Sequence, residues 1–289
     1  MKILKYKGFG LFVVAATWLA AADSIAFDKA RILYEKTEYP ASAKLLEAGK
    51  DLSGSELNLL GRNYFMMGEY KKATGLFERA AQLEPRTSAH WHWLGRSFGR
   101  RAELSSFVTA PGYASKARQN LERAVEMDAR NIEALNDLFE YYLQAPGFLG
   151  GGFEKAQSLL EKIGAVDAVE KHWAMARLAE EKKDFNTAEA QLRRGMELAP
   201  KQIGRAVDLA KFLAKHGRTQ ESDAVFELAR RIEPNHPTYL WQRASILIEQ
   251  KRNLPEAKLL LEKYIVTKVK PDDDHKEEAR KLLAKIQGA

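Results

Sequence analysis

Residues 57–85 read LNLLGRNYFMMGEYKKATGLFERAAQLEP. Apolar and small residues recur here at helical spacing on both sides of a Met-Gly-Glu turn at 67–69. Gly61 and Ala73 are small at facing positions, which allows two antiparallel helices to approach closely. Leu60, Tyr64, Phe77 and Ala80 fill the seam between them, and Pro85 ends the second helix because it cannot donate to the helical ladder. The stretch is one helix–turn–helix unit that leaves an apolar flank uncovered.

The same register recurs along the chain. Trp91, Leu94, Gly95 and Phe98 are followed by Ala117, Leu121 and Ala124; Leu135, Leu138, Phe139 and Tyr142 pair with Ala156, Leu160 and Ile163. Ala176, Ala179, Phe185, Ala188, Leu192 and Pro200 come next, then Ala210, Leu213, Gly217, Ser222, Phe226, Ala229 and Pro234, and finally Ala244, Leu247, Ala257 and Leu261. The step from Ala176 to Ala210, and again to Ala244, is 34 residues. Upstream, Ala30, Leu33, Tyr39, Ser42 and Leu46 form a degraded first unit.

Leu57, Leu60, Gly61, Tyr64, Gly68, Tyr70, Ala73, Phe77, Ala80 and Pro85 stand at the spacing of the tetratricopeptide (TPR) signature, and the chain resembles that family over nearly its whole length. The expectation is an all-α, right-handed superhelical solenoid of about six clear repeats and one degenerate repeat spanning 23–289, closed by a cap helix at 272–287. Asp272, Asp273 and Asp274 would start that cap, where acidic side chains suit the positive end of a helix.

The first 22 residues read differently. Lys2, Lys5 and Lys7 precede an uncharged apolar run from Phe9 to Ala22 that ends Ala20-Ala21-Ala22. At 14 residues this run is shorter than the roughly 20 a bilayer-spanning helix needs. It reads as a secretory signal peptide (1–22), with an uncleaved anchor as the alternative, and without it no integral span is expected. The chain has no cysteine, so it holds together by packing alone, which suits a bacterial periplasm. Removing the three signal lysines lowers the formal charge from +7 to +4, a dispersed excess that does not call for nucleic acid.

The chemistry-like motifs dissolve on inspection. APGFLGGG (145–152) is no phosphate loop, since Phe153-Glu154-Lys155 follows it between two helices. GRSFG (95–99) matches a nucleophile elbow, but that motif needs a strand-to-helix turn, and Gly95 and Phe98 are the repeat's packing positions. His90 and His92 point to opposite sides of one helix and read as surface or groove residues. No enzyme, metal or cofactor is expected.

The resemblance implies that the first helix of each unit lines a concave face. The positions that would face a partner there are Asn58, Arg62, Phe65, His92, Arg96, Arg100, Asn136, Trp173, Arg177, Lys211, Lys215 and Trp241. Arg62, Arg96, Arg177 and Lys211 form a basic ladder, interrupted by Glu140, Glu180 and Glu181. Such a mixture suits a partner peptide or protein bearing acidic groups, or alternatively an acidic glycan or polymer of the cell envelope. Two turns are enlarged by ten and five residues relative to the unit at 57–85, and each contains Ala-Pro-Gly (110–112 and 145–147). Their apolar residues Phe107, Tyr113, Phe148, Leu149 and Phe153 either pack on each other and the helix ends or form a docking rim.

Overall fold

The computed structural model describes residues 25–287; residues 1–22, read from sequence as a signal peptide, lie outside them. Fifteen α-helices and two short 3-10 turns make up the described chain, with no strand among these residues. The first helix covers 25–35 (α1). The rest are α2 Tyr39–Glu47, α3 Gly54–Met66, α4 Tyr70–Leu83, α5 Ser88–Glu103, α6 Ala110–Met127, α7 Ile132–Gln144, α8 Phe153–Val166, α9 Ala168–Glu181, α10 Phe185–Leu198, α11 Ile203–Lys215, α12 Thr219–Ile232, α13 Pro237–Glu249, α14 Leu254–Val266 and α15 Lys276–Gln287. They stack as seven antiparallel pairs, α1/α2 through α13/α14, and α15 lies against α14. The architecture is an all-α repeat solenoid.

Local chemistry sets the helix starts. Ser53 and Glu56 form a reciprocal capping box at α3; Asn131, Asp167 and Asp184 accept from first-turn amides of α7, α9 and α10. At the close approach of α3 and α4, a Cβ on Gly61 would come within 2.6 Å of the Phe77 ring, so glycine is required there. The apolar seams fuse into buried clusters that run between units, the largest from Ala176 to Ala279. Each unit buries its flank on the next, which is why the repeats must stack.

The two enlarged units use their extra residues differently. Helices α5 and α6 have 16 and 18 residues where α3 and α4 have 13 and 14, so seven of the ten extra residues lengthen helices and three widen the turn. Pro111 sits in the first turn of α6, where its missing N–H costs nothing. It starts the second helix. Pro146 by contrast follows the end of α7 and stops the first helix. The five residues inserted there all go into the connection, which is tightly built. Gly151 approaches the Ala145 carbonyl so closely that a Cβ would lie 1.8 Å from its oxygen, and the Gly152 amide donates to the Tyr142 carbonyl at 2.7 Å.

Candidate functional site

The first helices of neighbouring units, α3 with α5, α7 with α9 and α11 with α13, pack on one another, and they carry the polar residues that the resemblance assigns to the inner face. Two stations stand out on that face.

The N-terminal station is a stack of cations and aromatic rings. The Arg62 guanidinium lies 4.5 Å from the Tyr34 ring centroid and 4.7 Å from that of Trp93, and its Nε donates to the Tyr34 hydroxyl at 3.1 Å. Arg96 covers the Trp93 ring at 4.3 Å and stands 5.4 Å from Phe65. Each contact of this kind is worth about 0.5–2 kcal/mol, more as water is excluded. Burial pushes the Tyr34 hydroxyl up to about 12, the nearby Arg62 opposing it. The turn before α15 reaches this station from the far end of the chain. Arg96 Nη1 donates to Asp272 Oδ1 at 3.1 Å, and the Tyr39 hydroxyl donates to Asp274 Oδ2 at 3.1 Å. The His275 ring stacks on Trp241 at 5.0 Å and 14°.

The second station spans α9, α11 and α13. Here the expected basic ladder is an alternating ion-pair chain. Arg177 Nε donates to Glu140 Oε1 at 2.9 Å, its Nη1 to Glu180 Oε2 at 2.9 Å, and Lys215 Nζ donates to Glu180 Oε1 at 2.5 Å. A parallel line runs from Asn136 to Glu170 at 2.8 Å and from Arg205 to Glu170 at 2.8 Å. Sequence separations of 34–37 residues mark these as unit-to-unit ties. The glutamates that interrupt the ladder in sequence neutralise it in space. Between α9, α11 and α13 opens a cavity of about 540 Å³, its wall formed by Trp173, Arg177, Glu180, Asp208, Lys211, Phe212, Lys215, Ile246 and Gln250 among others. Lys211 is exposed and has no carboxylate within ion-pair distance among the described residues, whereas Arg177 and Lys215 are both paired. Burial raises the Asp208 carboxyl to about 6, although Arg205 and Lys211 pull the other way.

The remaining sequence-derived candidates fall elsewhere. Asn58, Phe65, His92 and Trp241 are buried and serve packing rather than an open groove surface. His92 is buried and hydrogen-bonds with Asp137 at 2.8 Å; His90, also buried, meets Glu84 at 3.1 Å, so neither is the surface histidine expected from sequence. The reason is that the neighbouring helices supply carboxylates, which the one-helix view does not show. Arg100 lies at the edge, bound to Tyr70 and Glu103. Ser97 is a buried helical serine that meets Thr74 Oγ1 at 3.0 Å, with no elbow around it. Only Asp274 of the aspartate cluster serves the cap, accepting from the Lys276 amide at 3.2 Å; residues 271–273 form a 3-10 turn, so α15 begins at 276 and not 272.

At the rim, Phe107 is 88% and Phe148 83% exposed. Tyr113 instead packs on Phe98 and receives Arg101, Leu149 is half-buried with its carbonyl accepting from Tyr141, and Phe153 is partly exposed near Lys182. The missed residues are Tyr34, Tyr39, Asp208 and Asp272. A tyrosine pair five residues apart in the weakest unit carried no sequence signal for a role in the inner face.

A family model for the tetratricopeptide repeat matches residues 54–87. The chain is similar in structure to a TPR protein from Parabacteroides merdae (16% identity, 92% of this chain and 99% of that one, TM-score 0.59). It is also similar to a thermophilic TPR protein of Thermus thermophilus (21%, 66% and 99%, 0.55). The fold is that of a TPR solenoid. A chain of the APC/C hetero-tetramer Cut9–Hcn1 shares it at 15% identity, over 89% of this chain and 48% of that one, with a TM-score of 0.51. No curated protein matches the chain in sequence. The repeat match and these structures show the fold, an all-α solenoid of TPR-like helix pairs.

Proposed function

We propose that this TPR solenoid is a secreted, periplasmic interaction scaffold that holds an extended segment of a partner protein on its inner face. The observation that carries the reading is the cavity between α9, α11 and α13. Its apolar floor of Trp173, Phe212 and Ile246 suits one apolar side chain, and Lys211 on its wall suits an adjoining carboxylate. Export rests on the Lys2–Ala22 pattern, and N-terminal sequencing of envelope-derived protein should begin Asp23-Ser24-Ile25-Ala26. A polypeptide is favoured over an acidic polymer because the ladder beside the cavity is already neutralised by Glu140 and Glu180. Among the described residues of the cavity wall, this leaves Lys211 as a single free cation rather than a charged track.

The test is a cross-linked capture from native envelope extract with the native chain and with Lys211→Glu. The substitution breaks no ion pair but removes the attraction Lys211 exerts on Asp208, so helicity and melting temperature are measured alongside and capture is compared only between folded chains. A partner captured by the native chain and lost by the variant, and insensitive to glycan digestion, supports the reading. Equal capture by both chains defeats it; capture abolished by glycan digestion transfers it to a polymer.

A further inference from the structure

The N-terminal station already has an occupant. Residues 271–275, Pro-Asp-Asp-Asp-His, cross to it from the opposite end of the solenoid and place one carboxylate on Arg96 and another on the Tyr39 hydroxyl. Neither carboxylate is consumed by local structure alone. Asp272 makes no cap bond, and Asp274 uses one oxygen for the Lys276 amide and the other for Tyr39. The receiving side is built for anions: two guanidiniums, Arg62 and Arg96, are held in place by the rings of Tyr34, Trp93 and Phe65. Stacked guanidiniums keep their N–H edges free for oxygen acceptors and need little further ordering to bind one. Asp137, 3.6 Å from Arg96, neutralises only part of that charge.

We infer that this station is a carboxylate-recognition site for aspartate-rich peptide segments, and that the chain's own 271–275 turn occupies it as an internal ligand that an external acidic segment displaces. The inference rests on the reading that the inner face takes a peptide, but it concerns a site separate from the α9–α13 cavity. A tethered occupant competes at an effective concentration on the order of millimolar. Removing it should therefore raise the apparent affinity for an external peptide about tenfold or more. Displacement would also release the 271–275 turn, and with it the start of α15, from the first units, coupling occupancy of the groove to the position of the C-terminal helix.

The probe is a synthetic fluorescent peptide with the sequence of residues 268–275, KVKPDDDH, which needs no natural partner. Its binding is measured by anisotropy to the full chain, to Asp272→Ala/Asp274→Asn, and to that double variant with Arg96→Gln. Asparagine at 274 keeps the acceptor for the Lys276 amide, so the cap survives. The expected order is weak binding to the native chain, binding at least about tenfold tighter to the double variant, and loss with Arg96→Gln. A second readout needs no variant of the site. Dyes at Arg31→Cys and Lys281→Cys, unique thiols in a cysteine-free chain, report the distance between α1 and α15. Saturating peptide should lower their energy transfer in the otherwise native protein. Equal affinity for native and double variant, binding unchanged by Arg96→Gln, or energy transfer unmoved by saturating peptide overturns the inference. The Lys211→Glu capture can fail without affecting any of these outcomes.

Discussion

Tyr39 and Asp274 are 235 residues apart in the chain, and their side chains meet at 3.1 Å. A stacked-repeat protein takes its stability from neighbouring units, each touching only the next. This contact, with Arg96–Asp272 beside it, joins the first units to the turn before the last helix and makes their stabilities interdependent.

Tyr39→Phe removes that hydrogen bond and little else. A bond to a charged acceptor is worth about 1.5–3 kcal/mol when well shielded, and about 1 kcal/mol is expected at this partly exposed position. The loss should appear at both ends: amides of α2 and of α15 exchange faster, while those of α9–α12 do not change. Hydrogen exchange read by mass spectrometry checks this, and a response confined to α2 would mean that the two ends are not coupled.

Asp208 gives a stability change whose sign follows from its burial. Its folded carboxyl titrates at about 6, raised by burial, above the ordinary value of about 4 in the unfolded chain. Between those values the folded state binds more protons, so this residue's contribution falls as pH rises from 4 to 6 and stays low above 6. Asp208→Asn should therefore be more stable than the native chain at pH 7, by about 1–3 kcal/mol, and equal to it near pH 3.5. Urea unfolding at the two pH values measures the difference.

Asp223 has the opposite sign. It bridges Arg252 and the buried Arg243, and the hydrogen bonds from Arg252, ahead of those from Arg243, hold its carboxyl down to about 2. Its contribution is fully present above pH 4 and is lost as pH falls through 2. Asp223→Asn should destabilise by roughly 1–2 kcal/mol at pH 7, discounted because the carboxylate is partly exposed, and by no more than about 0.4 kcal/mol near pH 2. A thermal unfolding series from pH 2 to 7 separates this slope from that of Asp208.

The repeat register was legible because Gly61, Ala73, Phe77 and their equivalents obey constraints internal to one helix pair: a ring needs a small residue opposite it. The inner face was only partly legible. Trp173, Arg177, Lys211 and Lys215 do converge on one cavity, since residues at the same repeat position line up by translation. What sequence could not show is pairing across units and across the solenoid. Glu140 and Glu180 looked like interruptions because their partners lie 35–37 residues away, and Asp272 looked like part of a helix start because its partner lies 176 residues away. Reading Trp241 as a groove residue failed for the same reason: His275 covers it.

The enlarged turns supply the last prediction. Two roles were open for their apolar residues, packing on the helix ends or offering a rim, and the two roles fall to different residues. Tyr113 and Leu149 are tied to Phe98, Arg101 and Tyr141, so they hold the turns in shape. Phe107 and Phe148 stand in solvent and hold nothing. Phe107→Ser with Phe148→Ser should then change stability by no more than about 0.5 kcal/mol, as exposed substitutions do. Gly151→Ala, in the same turn as Phe148, should cost about 2–4 kcal/mol, because its Cβ would drive the Ala145 carbonyl out of the path of the chain. A large solvent-facing ring kept on an otherwise ordered turn is the composition of a contact surface. The serine pair should accordingly weaken partner capture while its melting curve overlays the native one. A marked fall in melting temperature for the serine pair would return both phenylalanines to a packing role, and unchanged capture would leave the rim outside the partner interface.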